Sequence, residues 1–188
     1  MAYSSGFSPH PRISYAGASP TGAASESEYL ELGLAARLDP ETVRVRLNEA
    51  MPDGLEIVGI AESPGGALSD ELAVSCWRLD VPGVTADTAR RAVEALLAEP
   101  RVEVQRMTKT GLRAFDVRAA IVRLEVVGEG LLELVSVIDT PLVRPDDVIS
   151  ALSTVSEAFR PSRPPVFTRT AQGRLDEGTV VDPVPLAN

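Results

Sequence analysis

From Glu28 to Met107 the chain alternates short apolar runs of period two with two amphipathic helical stripes. That alternation limits the fold more than any other feature. In Glu28-Tyr29-Leu30-Glu31-Leu32-Gly33-Leu34, the three leucines share one face, as in a half-buried strand. Asp39-Pro40-Glu41 then starts a helix, with Asp at the cap, Pro at the first helical position and Glu in the first turn. Its stripe is Val43, Leu47, Ala50 and Met51, and Pro52-Asp53-Gly54 stops it. Leu55 to Ala61 and Leu72 to Val81 read as two further strands, the second carrying the only Trp. Thr85 caps a second helix with the stripe Ala89, Val93, Leu96 and Leu97, and Pro100 ends it. Arg101 to Gln105 is a fourth strand, with Val102 and Val104 facing in.

The order over 28–107 is therefore β-α-β-β-α-β, that of a ferredoxin-like unit: an antiparallel sheet with both helices on one face. Phe115 to Ala120 is ambiguous. Ile121 to Val127 and Leu131 to Ile138 are strands joined by the hairpin signal Gly128-Glu129-Gly130. Pro145-Asp146-Asp147 opens a third helix, with two acids at the positive end of its dipole and the stripe Val148, Leu152, Val155 and Phe159. Val166 to Thr170 is a last strand, so 108–172 reads as a second half of order β-β-α-β. The fold class expected is α+β, a ferredoxin-like βαββαβ unit plus that half, with antiparallel sheets and helices on one face. Residues 1–27 form a loop and first strand, and 173–188 a loose tail. With 188 residues the chain can bury a core as one larger domain or two small ones.

The chemistry concentrates at the start. Tyr3-Ser4-Ser5-Gly6-Phe7-Ser8-Pro9-His10-Pro11-Arg12-Ile13-Ser14-Tyr15 holds the only His and two of the three Tyr. Pro9 and Pro11 fix their own φ and hold His10 extended between them. Arg12 opens the alternation of Ile13 and Tyr15, which reads as strand. A rigid loop presenting Tyr3, Phe7, His10 and Arg12 suits a phosphate, a base or a carboxylate, because His titrates near neutrality and Arg offers a planar fork of donors. A loop closing a sheet edge, with His10 capping carbonyls, accounts for the same residues.

This stretch resembles the signature of the radical SAM-linked protein family, a bacterial domain of unknown function encoded beside or fused to a radical SAM enzyme. Ser25-Glu26-Ser27-Glu28-Tyr29-Leu30, Met51-Pro52-Asp53-Gly54-Leu55 and Phe115-Asp116-Val117-Arg118 continue the likeness in order, to about Gln172. Members usually carry a further strand and helix, rich in basic residues, ahead of the loop, so the resemblance implies either a start placed too late or a shortened form here. Such elements would also supply what the second half lacks, giving two ferredoxin-like units, the second closed by the chain's two ends near Ile13. The resemblance implies a radical SAM enzyme as partner. A single Cys76 cannot supply the three-cysteine cluster site of such an enzyme. Cys76 itself, in the run Ala73 to Trp77, reads as a buried structural thiol.

The net charge of −9 disfavours nonspecific nucleic-acid binding by the whole surface. Locally, Arg101, Arg106, Lys109, Arg113, Arg118 and Arg123 face only Glu103 and Asp116. Asp116 and Arg118, two apart, share a face if they lie on a strand. With Lys109 and Arg113 they form a candidate anion site near the opening loop, or else a solvated ion pair of little consequence. Arg169 and Gln172 read as ordinary surface, with lining of the same cleft as the alternative. No P-loop, dinucleotide fingerprint or Gly-x-Ser-x-Gly elbow is present. No metal or cofactor is expected: His10 with Glu26 and Glu28 is a poor ligand set, since bound His usually comes in clusters. No apolar run spans a bilayer and no signal peptide is recognisable, so the expected location is cytoplasmic.

Two functions follow as expectations. One is a non-catalytic partner or substrate-binding domain of a radical SAM enzyme, with RNA as candidate substrate contacted by Tyr3, Phe7, His10 and Arg12 beside Lys109, Asp116 and Arg118. The other is a stand-alone enzyme acting on a nucleotide or RNA, with Asp116 or His10 as acid–base.

Overall fold

The computed structural model describes residues 1–63, 65–108 and 111–184. In chain order its elements are β1 (Ile13–Ala16), β2 (Ala24–Ser25), β3 (Tyr29–Leu32), α1 (Pro40–Asn48), α2 (Leu68–Glu71) and β4 (Val74–Asp80). Then come α3 (Ala86–Ala98), β5 (Glu103–Thr108), β6 (Gly111–Asp116), α4 (Val117–Ala120), β7 (Ile121–Gly128) and β8 (Leu131–Val137). The last are α5 (Pro145–Val155), β9 (Val166–Asp176) and β10 (Thr179–Val181). The fold is α+β with mixed sheets. No helix among the described residues is long and apolar enough to cross a membrane.

The chain forms two compact units. The first comprises Met1–Ala18, Glu28–Leu72 and Asp182–Asn188. In it β1 and β3 make a two-stranded antiparallel ribbon, pairing Ile13 with Leu32 and Tyr15 with Leu30. Asp39 caps α1 as its sequence predicts, accepting the Thr42 N–H at 2.9 Å, with Pro40 in the first turn. The strand expected over Leu55 to Ala61 does not form. Asn48 replaces a strand partner: its Oδ1 accepts the Ile57 N–H at 2.7 Å and its Nδ2 donates to the Ile57 carbonyl at 3.1 Å.

The second unit comprises Ser19–Ser27 and Ala73–Val181. Its sheet runs β10-β9-β4-β8-β7 in space. The β4, β7, β8 and β9 pairings are antiparallel, and β2 adds to β9 in parallel. Helix α3 packs on α5 and β7. Leu79, Leu96, Leu132, Leu134, Leu152 and Phe159 are fully buried between these layers. Burial on this scale, at about 25 cal/mol per Å² of apolar surface, is what holds the unit together. The expected stripes supply it: Ala89, Val93 and Leu96 from α3, and Val148 and Leu152 from α5.

The sheet expected over 28–107 is divided differently. β3 pairs with β1, β4 joins β8 and β9, and β5 pairs with β6 in a separate hairpin. Over the second half the order is β6-α4-β7-β8-α5-β9, with β8 and β9 on either side of β4, while the segment near Ile13 pairs within the ribbon. Nor is the stretch after 172 all loose. β9 continues to Asp176 and folds back as β10 through Glu177 and Gly178, both at positive φ (46° and 83°). Two such residues give the turn whose twist matches an antiparallel hairpin.

Candidate functional site

The opening loop lies in the first unit and is closed by its own backbone. The Ser4 N–H donates to the His10 carbonyl at 2.9 Å, and the His10 N–H donates to Ser4 Oγ at 3.0 Å. Below this clasp, Arg12 N–H donates to Ala2 O (2.9 Å), Gly33 N–H to Arg12 O (2.7 Å) and Ala2 N–H to Gly33 O (2.7 Å). The approach is close enough that a Cβ at Gly33 would sit 2.8 Å from the Arg12 Cβ, so only glycine fits beside Arg12. Residues 5–9 form the apex, where Gly6 takes φ 137°. Phe7 is fully exposed there, and Tyr3, His10 and Arg12 are exposed too. Among the described residues neither the His10 ring nor the Arg12 guanidinium has a side-chain partner; the His10 backbone, not its ring, holds the loop. Tyr15 OH donates to the Glu28 carboxylate at the far end of the ribbon.

Asp116 and Arg118 belong to the second unit. They do not share a strand face, because β6 ends at Asp116 and α4 begins at Val117. The Asp116 carboxylate caps α4, accepting the Arg118 N–H at 3.1 Å and the Val102 N–H at 3.3 Å. The Arg118 guanidinium donates to the carbonyls of Leu97 (3.3 Å) and Ile121 (3.4 Å). Both residues are engaged in holding α4. Lys109 lies outside the described residues.

Much of the basic stretch is likewise engaged. Arg106 pairs with Asp147, donates to the Leu142 carbonyl at 3.1 Å and stacks 4.3 Å over the Phe115 ring. Arg101 pairs with Glu103, and Arg123 with Glu125 at 3.9 Å. Arg113 is exposed on β6, and among the described residues its guanidinium has no side-chain partner. The cationic cluster expected from the sequence is therefore mostly an ion-pair and capping network.

A family profile described as an uncharacterized protein conserved in bacteria (DUF2344) matches residues 1–145. The chain belongs to the DUF2344 family. That match takes in the opening loop, Ser25 to Leu30, Met51 to Leu55 and Phe115 to Arg118, and ends at the start of α5. Neither a curated protein nor a solved structure matches the chain.

In this DUF2344 chain the residues that departed furthest from expectation are Arg169 and Gln172. Both are buried, at 3% and 0% exposure, not surface. The Arg169 guanidinium lies 5.7 Å from the Trp77 ring centroid, and its Nε donates to Ser25 Oγ at 3.3 Å. Gln172 Nε2 donates to the Ser27 carbonyl at 3.1 Å, and the Glu26 N–H donates to the Arg169 carbonyl at 2.8 Å. Glu26 also pairs with Arg78 at 3.2 Å. The Ser25-Glu26-Ser27 motif is thus seated on β9. A signal was present in the sequence: Phe167 and Arg169, two apart, share the inward face of β9. On the same sheet Cys76 is only partly exposed, and burial pushes its thiol pKa up, away from a reactive thiolate.

Proposed function

We propose that this DUF2344 chain is a non-catalytic, substrate-presenting partner of a radical SAM enzyme, and that the substrate is RNA. The observation that carries the reading is the self-closed opening loop. It holds Tyr3, Phe7, His10 and Arg12 exposed on a backbone fixed by the Ser4–His10 clasp. Exposed aromatic faces and an Arg fork are the groups that take unstacked bases and phosphates. The motif likeness to the radical SAM-linked family supports the choice of partner. The single Cys76 agrees with a chain that carries no cluster of its own.

We further read the second unit as ferredoxin-like. β4-α3-β7-β8-α5-β9 follows the βαββαβ order, with the β5–β6 hairpin and α4 inserted after α3. That reading favours the loop over the sheet as the RNA contact. The sheet face away from the helices carries Glu125, Glu133 and Asp80 against Arg78 and Arg123, with no aromatic residue among them. An acid–base role for Asp116 has little support, since two backbone N–H groups occupy its carboxylate.

The test is affinity purification of the tagged chain from its own cells, with and without RNase, beside the His10→Ala/Arg12→Ala double variant. Recovery of a radical SAM enzyme and a defined RNA, both reduced in the variant at an almost unchanged Tm, is the expected result. Recovery of neither, or equal recovery by both proteins, would overturn the proposal.

A further inference from the structure

β7 forms one edge of the six-stranded sheet, and among the described residues its only strand partner is β8. An edge strand presents unpaired N–H and C=O groups, and proteins blunt such edges with proline, shortness or charge. β7 is eight residues long and contains no proline. Val122 and Val127 are 42% and 48% exposed on it. Its central charges are of opposite sign: Arg123 and Glu125 flank buried Leu124 and stand 49% and 56% exposed.

This Arg-Leu-Glu triplet is complementary to itself under a two-fold rotation. With a second β7 laid antiparallel and Leu124 opposite Leu124, Arg123 of each copy faces Glu125 of the other. The alternatives fail on the same residues. A slip of one sets Leu124 against Glu125 and puts core faces on opposite sides of the sheet. A slip of two sets Arg123 against Arg123, or Glu125 against Glu125, and like charges directly opposite repel. Beside the edge, α3 and β7 frame an open groove lined by Arg90, Val93, Glu94, Glu125, Val126 and Val127. Its helix side also carries one Arg and one Glu, four residues apart.

We propose that β7 is a homodimer interface, through which two copies continue one sheet across a two-fold axis with reciprocal Arg123–Glu125 pairs. The interface is isologous, as closed dimers require. Bulges between Ile121 and Arg123 and between Val126 and Gly128 confine the regular ladder to the centre of β7, so the dimer is weak and concentration-dependent.

Sedimentation velocity of the full chain across the micromolar range tests this. The wild type should self-associate, and Arg123→Glu should raise the dimer Kd about tenfold by opposing two pairs of like charges. The double swap Arg123→Glu/Glu125→Arg should restore it, because the pairs re-form with their signs exchanged. Glu125→Arg alone serves as the second single variant should the first fail to fold, with circular dichroism as the check. A monomer at every concentration, a dimer indifferent to the single changes, or a weakened dimer that the swap does not restore would each overturn the proposal.

Discussion

Asp116 accepts the backbone N–H of Arg118 at 3.1 Å, while the Arg118 guanidinium turns away to the carbonyls of Leu97 and Ile121. Two residues of opposite charge, two apart, thus meet through the main chain and not as an ion pair. The carboxylate also reaches Val102 N–H at 3.3 Å, tying the start of α4 to the approach to β5.

Asp116→Ala should therefore lower stability by about 1 kcal/mol, the usual cost of losing a cap. Asp116→Asn, whose side-chain oxygen still accepts, should recover most of it. Urea unfolding midpoints measure both. Binding through the opening loop should be unchanged in each, and a loss of binding at full stability would return Asp116 to the functional residues.

Arg169 and Trp77 offer a sharper test. Arg169→Ala removes the stacked guanidinium, the bond to Ser25 and the packing of a buried stem, and should cost about 2 kcal/mol or more. Arg169→Lys should not rescue it, since an ammonium has no planar face to lay on an indole. Trp77 is the only Trp, so its emission reports this site alone. A shift to longer wavelength in the Ala variant is expected, and an unaltered spectrum would mean that Arg169 does not shield the ring.

The α1 cap gives a pH dependence whose sign is set. The Thr42 N–H, and after it the Thr42 hydroxyl, hold the Asp39 carboxyl below its ordinary 3.8. A carboxyl depressed on folding contributes stability that is present above pH 3.8 and lost as pH falls through the lower folded value. Protection of the α1 amides against exchange, relative to their intrinsic rates, should fall across that acid window in the wild type. Asp39→Asn, which caps without ionising, should remove this part of the pH dependence. Equal pH profiles for the two proteins would show that the Asp39 charge contributes nothing.

Local features were legible from the sequence. Asp39 and Thr85 cap helices as their positions predict, Pro40 and Pro145 stand in first turns, and the stripes of α3 and α5 form the core. These depend on side chains three or four residues apart and on backbone restrictions that travel with the residue itself. The opening loop was legible for a related reason, since Pro9, Pro11 and Gly6 bias their own dihedrals. For Asp116 and Arg118 a shared face was conditional on a strand running through both, and the strand ends at the first of them.

Helix caps, the α3 and α5 stripes and most strands follow from the amino-acid sequence alone; the unpaired Leu55 to Ala61 stretch and the inward Arg169 and Gln172 do not. Which strand lies beside which is set by contacts between distant segments. β4 joins β8 and β9 across long stretches of chain, β3 turns to β1, and Asn48 takes the place of a strand partner for Ile57. The reason is physical: period-two alternation orients a strand's faces but leaves the backbone groups along its edges identical for any partner. The choice falls to how well whole apolar faces cover one another, and that is a property of segments far apart in sequence.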